Sequence, residues 1–118
     1  MLPKYFYIGV ELIMGICVMR VSDDNFNAII TSNKLVVVDF FATWCGPCRA
    51  LSPYIDELAT NHHILFAKAN IEETPIMANE LDVKSLPCVI IFENGKEINR
   101  VVGFNKPKLQ AIIENLSE

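Results

Sequence analysis

Two cysteines three residues apart, Cys45 and Cys48, are the residues of this sequence best suited to chemistry. They lie where a buried apolar run gives way to a helical pattern, which places Cys45 at the start of a helix. Unsatisfied N–H groups and the positive end of the helix dipole favour a thiolate over a thiol there. Because the thiolate is the attacking species in thiol–disulfide exchange, Cys45 is predicted to be the nucleophile, and Cys48 is close enough to resolve a mixed disulfide.

Zinc sites use the same Cys-x-x-Cys spacing, but they need two further ligands. The remaining candidates are Cys17, Cys88, His62 and His63. No second pair with zinc-ligand spacing accompanies the first, so we expect no bound metal. The residues between the cysteines suit exchange instead. Gly46 lets a substrate backbone approach, and Pro47 sets a helical φ at a position that needs no donor.

Asp39, Lys68 and Pro87 are further candidates for a redox site. Asp39 interrupts an apolar strand, and a buried carboxylate is costly unless it is paired or protonated. Burial should raise its pKa, which makes it a candidate proton acceptor for Cys48; the alternative is a structural acid satisfied by hydrogen bonds. Lys68 is its natural partner unless it points into water. Pro87 precedes a buried strand, where a cis bond would shape a wall facing the dithiol and a trans bond would simply start the strand.

Hydrophobic periodicity predicts the strands and helices that position these residues. Strands are expected at residues 16–21, 35–41, 64–70, 88–92 and 97–102, and helices at 22–33, 47–61, 74–81 and 105–116. The order is β-α-β-α-β-α-β-β-α. Strands that alternate with helices pair in parallel, and the final hairpin adds an antiparallel edge. We therefore expect an α/β fold with a single mixed sheet sandwiched between helices.

Capping and turn residues define the expected ends of these elements. Ser22, Thr74 and Asn105 are predicted N-caps, and Asp23 falls in the positive first turn after Ser22. The dipeptide at residues 94–95 is Asn-Gly, the strongest short signal for a β-hairpin.

Length and composition limit the class of protein. The 118 residues are enough for one domain, and 52% of them are apolar. A formal net charge of −4 without a basic stripe excludes a typical nucleic-acid binder. Four cysteines in a chain that can build a core favour a reactive pair over a secreted disulfide framework. We expect a cytoplasmic monomer that binds neither nucleic acid nor membrane.

The N-terminal residues need a separate interpretation. Residues 5–19 are almost wholly apolar but include Glu11, and this run is shorter than the roughly 20 residues of a membrane span. One basic residue, Lys4, and no clear cleavage site make a poor signal peptide. We expect residues 1–15 to be a poorly packed extension or an alternative-start region, with Met14 a better start than Met19, ahead of a domain at 16–118. An exported relative, cleaved or anchored at this segment, is the alternative.

The run Val-Val-Val-Asp-Phe-Phe-Ala-Thr-Trp-Cys-Gly-Pro-Cys-Arg at residues 36–49 resembles the active-site segment of thioredoxin. The likeness continues at Pro53, 67–71, 83–87, 92–95 and 102–103, and it covers residues 16–118. It implies the thioredoxin fold and a protein-disulfide reductase that works through a mixed disulfide. Asp39 would then manage the proton of Cys48, with Lys68 tuning Asp39.

The resemblance also implies how the protein meets its partners. Substrates would dock on a flat apolar surface made by Trp44, Gly46, Pro47, Leu86, Pro87, Val102 and Gly103. The backbone at Leu86 would pair with an extended substrate, beside a cis Pro87. No cofactor is expected beyond a redox-active disulfide between Cys45 and Cys48. The partners would be disulfide-containing target proteins and an NADPH-dependent thioredoxin reductase, in electron transport that maintains cell redox homeostasis.

Two residues depart from the family pattern. Cys88 stands where close relatives commonly have Thr, and it is either a small packing residue or a site of regulatory oxidation. Phe41 replaces a frequent Trp, which we expect to change packing alone. A non-catalytic interaction module with the same fold is a further alternative, and the intact cysteines argue against it.

Overall fold

The structure, a computed structural model, describes residues 10–13 and 16–116. The strands are β1 Val10–Ile13, β2 Ile16–Val21, β3 Leu35–Phe41, β4 Leu65–Asn70, β5 Cys88–Glu93 and β6 Lys96–Val102. The helices are α1 Phe26–Ser32, α2 Gly46–Asn61, α3 Pro75–Glu80 and α4 Lys106–Glu114. From β2 onward this is the predicted order of elements. No helix within these described ranges is long and apolar enough to cross a membrane.

The six strands form one mixed sheet in the order β1-β2-β4-β3-β5-β6. Strands β2, β4 and β3 run parallel, as βαβ connections require, while β5 and β6 are antiparallel additions beside β3. Helices α1 and α3 pack on one face of the sheet and α2 and α4 on the other. The prediction of an α/β sandwich with a single mixed sheet is confirmed, and it places β3 between two neighbours at the centre.

Strand β1 lies in the range that the sequence assigns to a poorly packed extension. Val10–Ile13 pairs antiparallel with β2, with Glu11 opposite Val18. This pairing gives the outer edge of β2 a hydrogen-bonded neighbour. The proposed start at Met14 lies outside the described residues, and the domain boundary at residue 16 stays a prediction.

Helix α1 starts later than predicted. Ser22 does not cap it; Asn25 occupies the N-cap position, and helical geometry begins at Phe26. Three hydrogen bonds close the turn between Ser22 and Phe26, one of them from the Asn25 N–H to the Ser22 carbonyl at 3.2 Å. The Asn25 Oδ1 accepts from the Ser22 N–H at 2.8 Å, and the Ser22 carbonyl accepts from the Phe26 N–H at 3.0 Å.

Helix α3 is capped by a distant residue rather than by Thr74. The Asp23 carboxylate accepts from the N–H groups of Ile76 and Met77, each at 3.0 Å. Thr74 is at the N-cap position, but its hydroxyl donates to the Asn70 carbonyl at 3.0 Å. The acidic residue predicted for the first turn of α1 therefore stabilises the first turn of α3.

The last two local predictions are confirmed. Asn94 and Gly95 have φ angles of 53° and 84°, as a two-residue type I′ hairpin turn requires, and they join β5 to β6. Asn105 caps α4, because its Oδ1 accepts from the Lys108 N–H at 3.1 Å.

Candidate active site

The junction between β3 and α2 places the two cysteines in the first turn of the helix. A bond from the Cys45 N–H to the Ala42 carbonyl, 3.1 Å, closes the turn after β3. Cys45 is then the N-cap of α2, with Pro47 in the first turn. Cys45 and Cys48 form a disulfide, with Cα atoms 5.3 Å apart. The Cys45 Sγ accepts from the Cys48 N–H at 3.2 Å, and after reduction this donor and the helix dipole favour a thiolate on Cys45.

The exposed fractions of the residues around the dithiol suit a pair in which one sulfur is more accessible than the other. Cys45 is 6% exposed and Cys48 is 2% exposed, so Cys45 is the more accessible of the two. Trp44 is 67% exposed beside them, and Gly46 and Pro47 are exposed as well. These positions agree with a nucleophilic Cys45 and a resolving Cys48, roles that stay predictions.

The loop before β5 forms a wall next to the dithiol. The Leu86–Pro87 peptide bond is cis, as expected for a wall of this kind. Leu86 packs against the cluster that contains Cys45 and Cys48. The Pro87 carbonyl accepts from the Gly103 N–H at 2.8 Å, which brings the end of β6 to the same place.

The Gly103 backbone has a φ of +87°, a conformation that favours glycine. The preceding residue, Val102, is 53% exposed. The structure thus brings together all seven residues predicted to contact substrate, and their role in binding stays a prediction.

A groove of about 410 Å³ runs beside Cys45. Trp44 and Leu86 line it, together with Ile71, Val83 and part of α3. Sequence reasoning missed Ile71 and Val83. A signal for Ile71 was available in the sequence, because Ile71 follows β4 in the same way that Trp44 and Cys45 follow β3. The carboxyl ends of neighbouring parallel strands meet at the same end of a sheet, so these residues are expected to lie close together.

Asp39 lies behind the dithiol on the central strand. It is 1% exposed, between Lys68 on β4 and Val89 on β5. Its Oδ1 atom is buried and has no hydrogen-bond partner among the residues that the structure describes. Burial raises the pKa of Asp39 from 3.8 to about 7; the Lys68 charge opposes this rise and the Asp56 charge adds to it. A carboxyl group with this pKa can exchange a proton near neutral pH.

Asp39 and Cys48 share a second cavity of about 270 Å³, which Ser52 and Lys68 also line. Lys68 is beside Asp39 in the sheet, as predicted, but its ammonium forms its ion pair with Asp56, at 3.0 Å, and donates a hydrogen bond to Ser52 Oγ. Sequence reasoning missed Ser52 and Asp56. Their spacing was a signal, since residues 48, 52 and 56 are four apart and fall on one face of a helix.

The third thiol, Cys88, is a buried free cysteine. It pairs with Phe40 on β3 and Val102 on β6, so it is part of the sheet interior. Burial raises the pKa of its thiol, which lowers its reactivity. This position supports the packing interpretation. Within the described part of the chain, no group of three or more His, Cys, Asp or Glu residues is arranged to hold a metal ion.

Comparison with known proteins identifies the family. The family model named Thioredoxin matches residues 17–115. The chain belongs to the thioredoxin family. It is 41% identical to thioredoxin from Echinococcus granulosus over 98 residues, which cover 82% of this chain and 92% of that protein. It is 44% identical to thioredoxin-2 from Pyricularia oryzae over 90 residues, 75% of this chain and 53% of that protein.

Solved structures agree with this assignment. The structure of Plasmodium falciparum thioredoxin matches with a TM-score of 0.81 and 32% identity, over 85% of this chain and 100% of that chain. The fold is therefore the thioredoxin fold, and the protein is a thiol–disulfide oxidoreductase, as predicted. Proteins of this family use the redox-active disulfide without a further cofactor. They act on disulfide-containing targets and are served by a reductase.

Proposed function

We propose that this protein is a general protein-disulfide reductase of the cytoplasm, a monomer that is itself recharged by an NADPH-dependent thioredoxin reductase. The observation that carries the proposal is the Cys45–Cys48 disulfide at the N-terminus of α2, beside the groove of about 410 Å³. The groove gives an extended target segment access to the more exposed cysteine. In this role residues 16–118 form the catalytic domain, and the family match from residue 17 supports that boundary.

The reaction begins with the reduced protein. The Cys45 thiolate attacks one sulfur of the target disulfide, which forms a Cys45–target disulfide and releases the other target sulfur as a thiolate. The Cys48 thiol then gives its proton to the Asp39 carboxylate, with Lys68 tuning that carboxylate. The Cys48 thiolate attacks Cys45 Sγ, which forms the Cys45–Cys48 disulfide and releases the second target thiolate. Two electrons pass to the target, and NADPH replaces them through the reductase.

The target is held by contacts around the dithiol. Its backbone pairs with Leu86 beside the cis Pro87, and its side chains pack on Trp44, Gly46, Pro47, Val102 and Gly103. The exposed apolar side chains of Trp44 and Val102 support this arrangement, because they offer contact area without a charge that would select one target.

The test is reduction of insulin disulfides with dithiothreitol as electron source. We expect the wild type to accelerate reduction and both Cys45→Ser and Cys48→Ser to lose the acceleration. In a second assay, with pre-reduced protein and no dithiothreitol, Cys48→Ser should accumulate a mixed disulfide with insulin, because Cys45 can still attack, whereas Cys45→Ser should not. Cys88→Ser is the matched control: it removes a thiol outside the reacting pair and should keep the wild-type rate.

Replacement of dithiothreitol by NADPH and a thioredoxin reductase tests the proposed electron donor. Sedimentation tests the monomer, and cell fractionation tests the cytoplasmic location. Absence of turnover in a folded wild type with both thiols free would contradict the reductase role and favour a non-catalytic binding function.

A further inference from the structure

The ammonium group of Lys68 is held by helix α2. It pairs with the Asp56 carboxylate at 3.0 Å and donates a hydrogen bond to the Ser52 hydroxyl. The side chain of Lys68 is 19% exposed and that of Asp56 is 37% exposed, so the ion pair is partly exposed to solvent and lies outside the core. Two groups on one helix therefore fix the position of a charge that originates on β4.

The neighbouring carboxylate would be the expected partner for this lysine. Asp39 and Lys68 are directly opposite in the parallel register of β3 and β4. An ionised carboxylate that is buried without a partner is costly, so a neighbouring cation is its natural partner. Yet Asp39 Oδ1 is without a hydrogen-bond partner in the described part of the chain, while Lys68 contacts α2. A competing site on α2 explains this arrangement.

That competing site is a stripe of α2 residues spaced four apart, two of which line the cavity beside Asp39. Cys48 and Ser52 line the cavity of about 270 Å³ together with Asp39 and Lys68, and Asp56 follows Ser52 by one helical turn. The titratable and charged groups near Asp39 are Cys48, Arg49 and Asp56 from α2, Lys68 from β4, and Cys88 from β5. Lys68 and Arg49 are the cations of this set, and the Arg49 guanidinium donates to the Thr43 carbonyl at 2.8 Å.

We propose that Ser52 and Asp56 are positioning residues that hold the Lys68 ammonium on the α2 side of the cavity and keep it from pairing directly with Asp39. A directly paired Asp39 would be a weaker base, because an adjacent cation favours the ionised form. With the cation held away, Asp39 can take up and return a proton near neutral pH. The inference deepens the proposed role of Asp39 as proton acceptor for Cys48 and rests on it.

The first experiment follows the titration of the Asp39 carboxyl carbon by NMR in the oxidised protein, where Cys45 and Cys48 do not titrate. Ser52→Ala removes one hold on Lys68, so Lys68 should approach Asp39 and lower the titration midpoint by about 1 pH unit. Ser52→Thr keeps the hydroxyl and should restore the wild-type midpoint. Asp56→Asn removes the other hold on Lys68 and also a nearby negative charge that raises the pKa of Asp39, so it too should lower the midpoint. Glu57→Gln is its matched control, because it removes an exposed carboxylate from the adjacent position of the same helix and should leave the midpoint unchanged.

A double variant shows whether Ser52 acts through Lys68. Lys68→Met removes the cation and should raise the Asp39 midpoint. Ser52→Ala in the Lys68→Met background should then cause no further change. An unchanged midpoint in Ser52→Ala alone, or an equal shift with and without Lys68, would overturn the proposal.

The consequence for the reaction is a shift in pH profile. In single turnover, the pH at which release of the mixed disulfide is half-maximal should fall in Ser52→Ala by the same amount as the Asp39 midpoint. The NMR titration needs no turnover, so its failure is distinct from failure of the reductase function in the insulin assay. A shifted titration with an unshifted release profile would show that Asp39 is positioned as proposed but does not accept the proton of Cys48, which contradicts the catalytic part.

Discussion

At the scale of single residues, Asp39 differs from the apolar core around it, because its carboxyl group can ionise and burial makes that ionisation costly in free energy. Its folded-state pKa of about 7 is above the ordinary value of 3.8, because burial penalises the charged form. Between these two pH values the folded protein binds a proton that the unfolded chain has lost, so the free energy of unfolding must fall as pH rises. The difference of about three pH units corresponds to about 4 kcal/mol at about 1.4 kcal/mol per unit.

This predicts the pH dependence of stability. Urea unfolding of the oxidised protein measures this dependence. The contribution of Asp39 to the free energy of unfolding should be fully present below pH 4 and lost as pH rises through 7. Asp39→Asn should remove most of the fall in the free energy of unfolding between pH 4 and pH 7 and leave a protein that is more stable than wild type at pH 8. Asp24→Asn, at an exposed position, should keep the wild-type slope. A wild type whose stability does not change between pH 5 and pH 8 would contradict the prediction.

At the scale of elements, the groove depends on a helix of six residues that cannot be stable alone. Asp23 satisfies two N–H groups in the first turn of α3, those of Ile76 and Met77. Asp23→Ala should therefore lower the free energy of unfolding by about 1 kcal/mol, as the loss of an N-cap does. It should also raise the KM for insulin, because α3 lines the groove beside Cys45.

Asp24→Ala supplies the comparison for Asp23, since it removes an adjacent exposed carboxylate that does not cap α3. Denaturant unfolding measures the stability change, and initial rates of insulin reduction measure KM. Equal stability of Asp23→Ala and Asp24→Ala would show that the cap contributes nothing to α3.

Local pattern was sufficient for the elements that hold the dithiol. The apolar run of β3 and the start of α2 near Pro47 depend on neighbours within a few residues, so hydrophobic periodicity and the preference of proline for the first helical turn predicted both. Contacts between distant segments could not be predicted this way. Asp23 is 53 residues from Ile76, and nothing local distinguishes capping of α3 from capping of α1. Strand β1 was not predicted, because residues 5–19 are almost wholly apolar and no sustained alternation of apolar and polar residues marks a strand there.

The candidate site shows the same division between features that local sequence patterns predict and contacts between distant segments that they do not. The order of the elements predicted that β3 and β4 are neighbours in the sheet. This prediction placed Lys68 correctly beside Asp39. The direction taken by the Lys68 side chain depends on Ser52 and Asp56, which approach only when α2 packs on the sheet. A spacing of four residues from Cys48 was the available signal for these two residues.

At the scale of the whole molecule, the active site lies where the two layers of helices meet one edge of the sheet. The dithiol belongs to α2 on one face, whereas α3 on the other face contributes to the groove wall. The wall continues through Val83, Lys84 and Leu86, and Leu86 precedes the cis Pro87. The geometry of the groove therefore depends on how firmly the segment after α3 is attached to the sheet.

Arg100 on the edge strand β6 provides that attachment. Its Nη2 donates to the Leu81 carbonyl at 2.8 Å, at the end of α3, while Glu97 holds its guanidinium in an ion pair. Arg100→Met should free the segment and raise the KM for insulin about fivefold, the change that corresponds to about 1 kcal/mol of lost positioning. Reduction of a small aromatic disulfide, which needs the dithiol but not the groove wall, should keep its wild-type rate. Lys96→Met removes an exposed cation from the same strand and should change neither rate. If Arg100→Met slows both substrates equally, the attachment supports the dithiol itself, and the division of the site between the two layers is wrong.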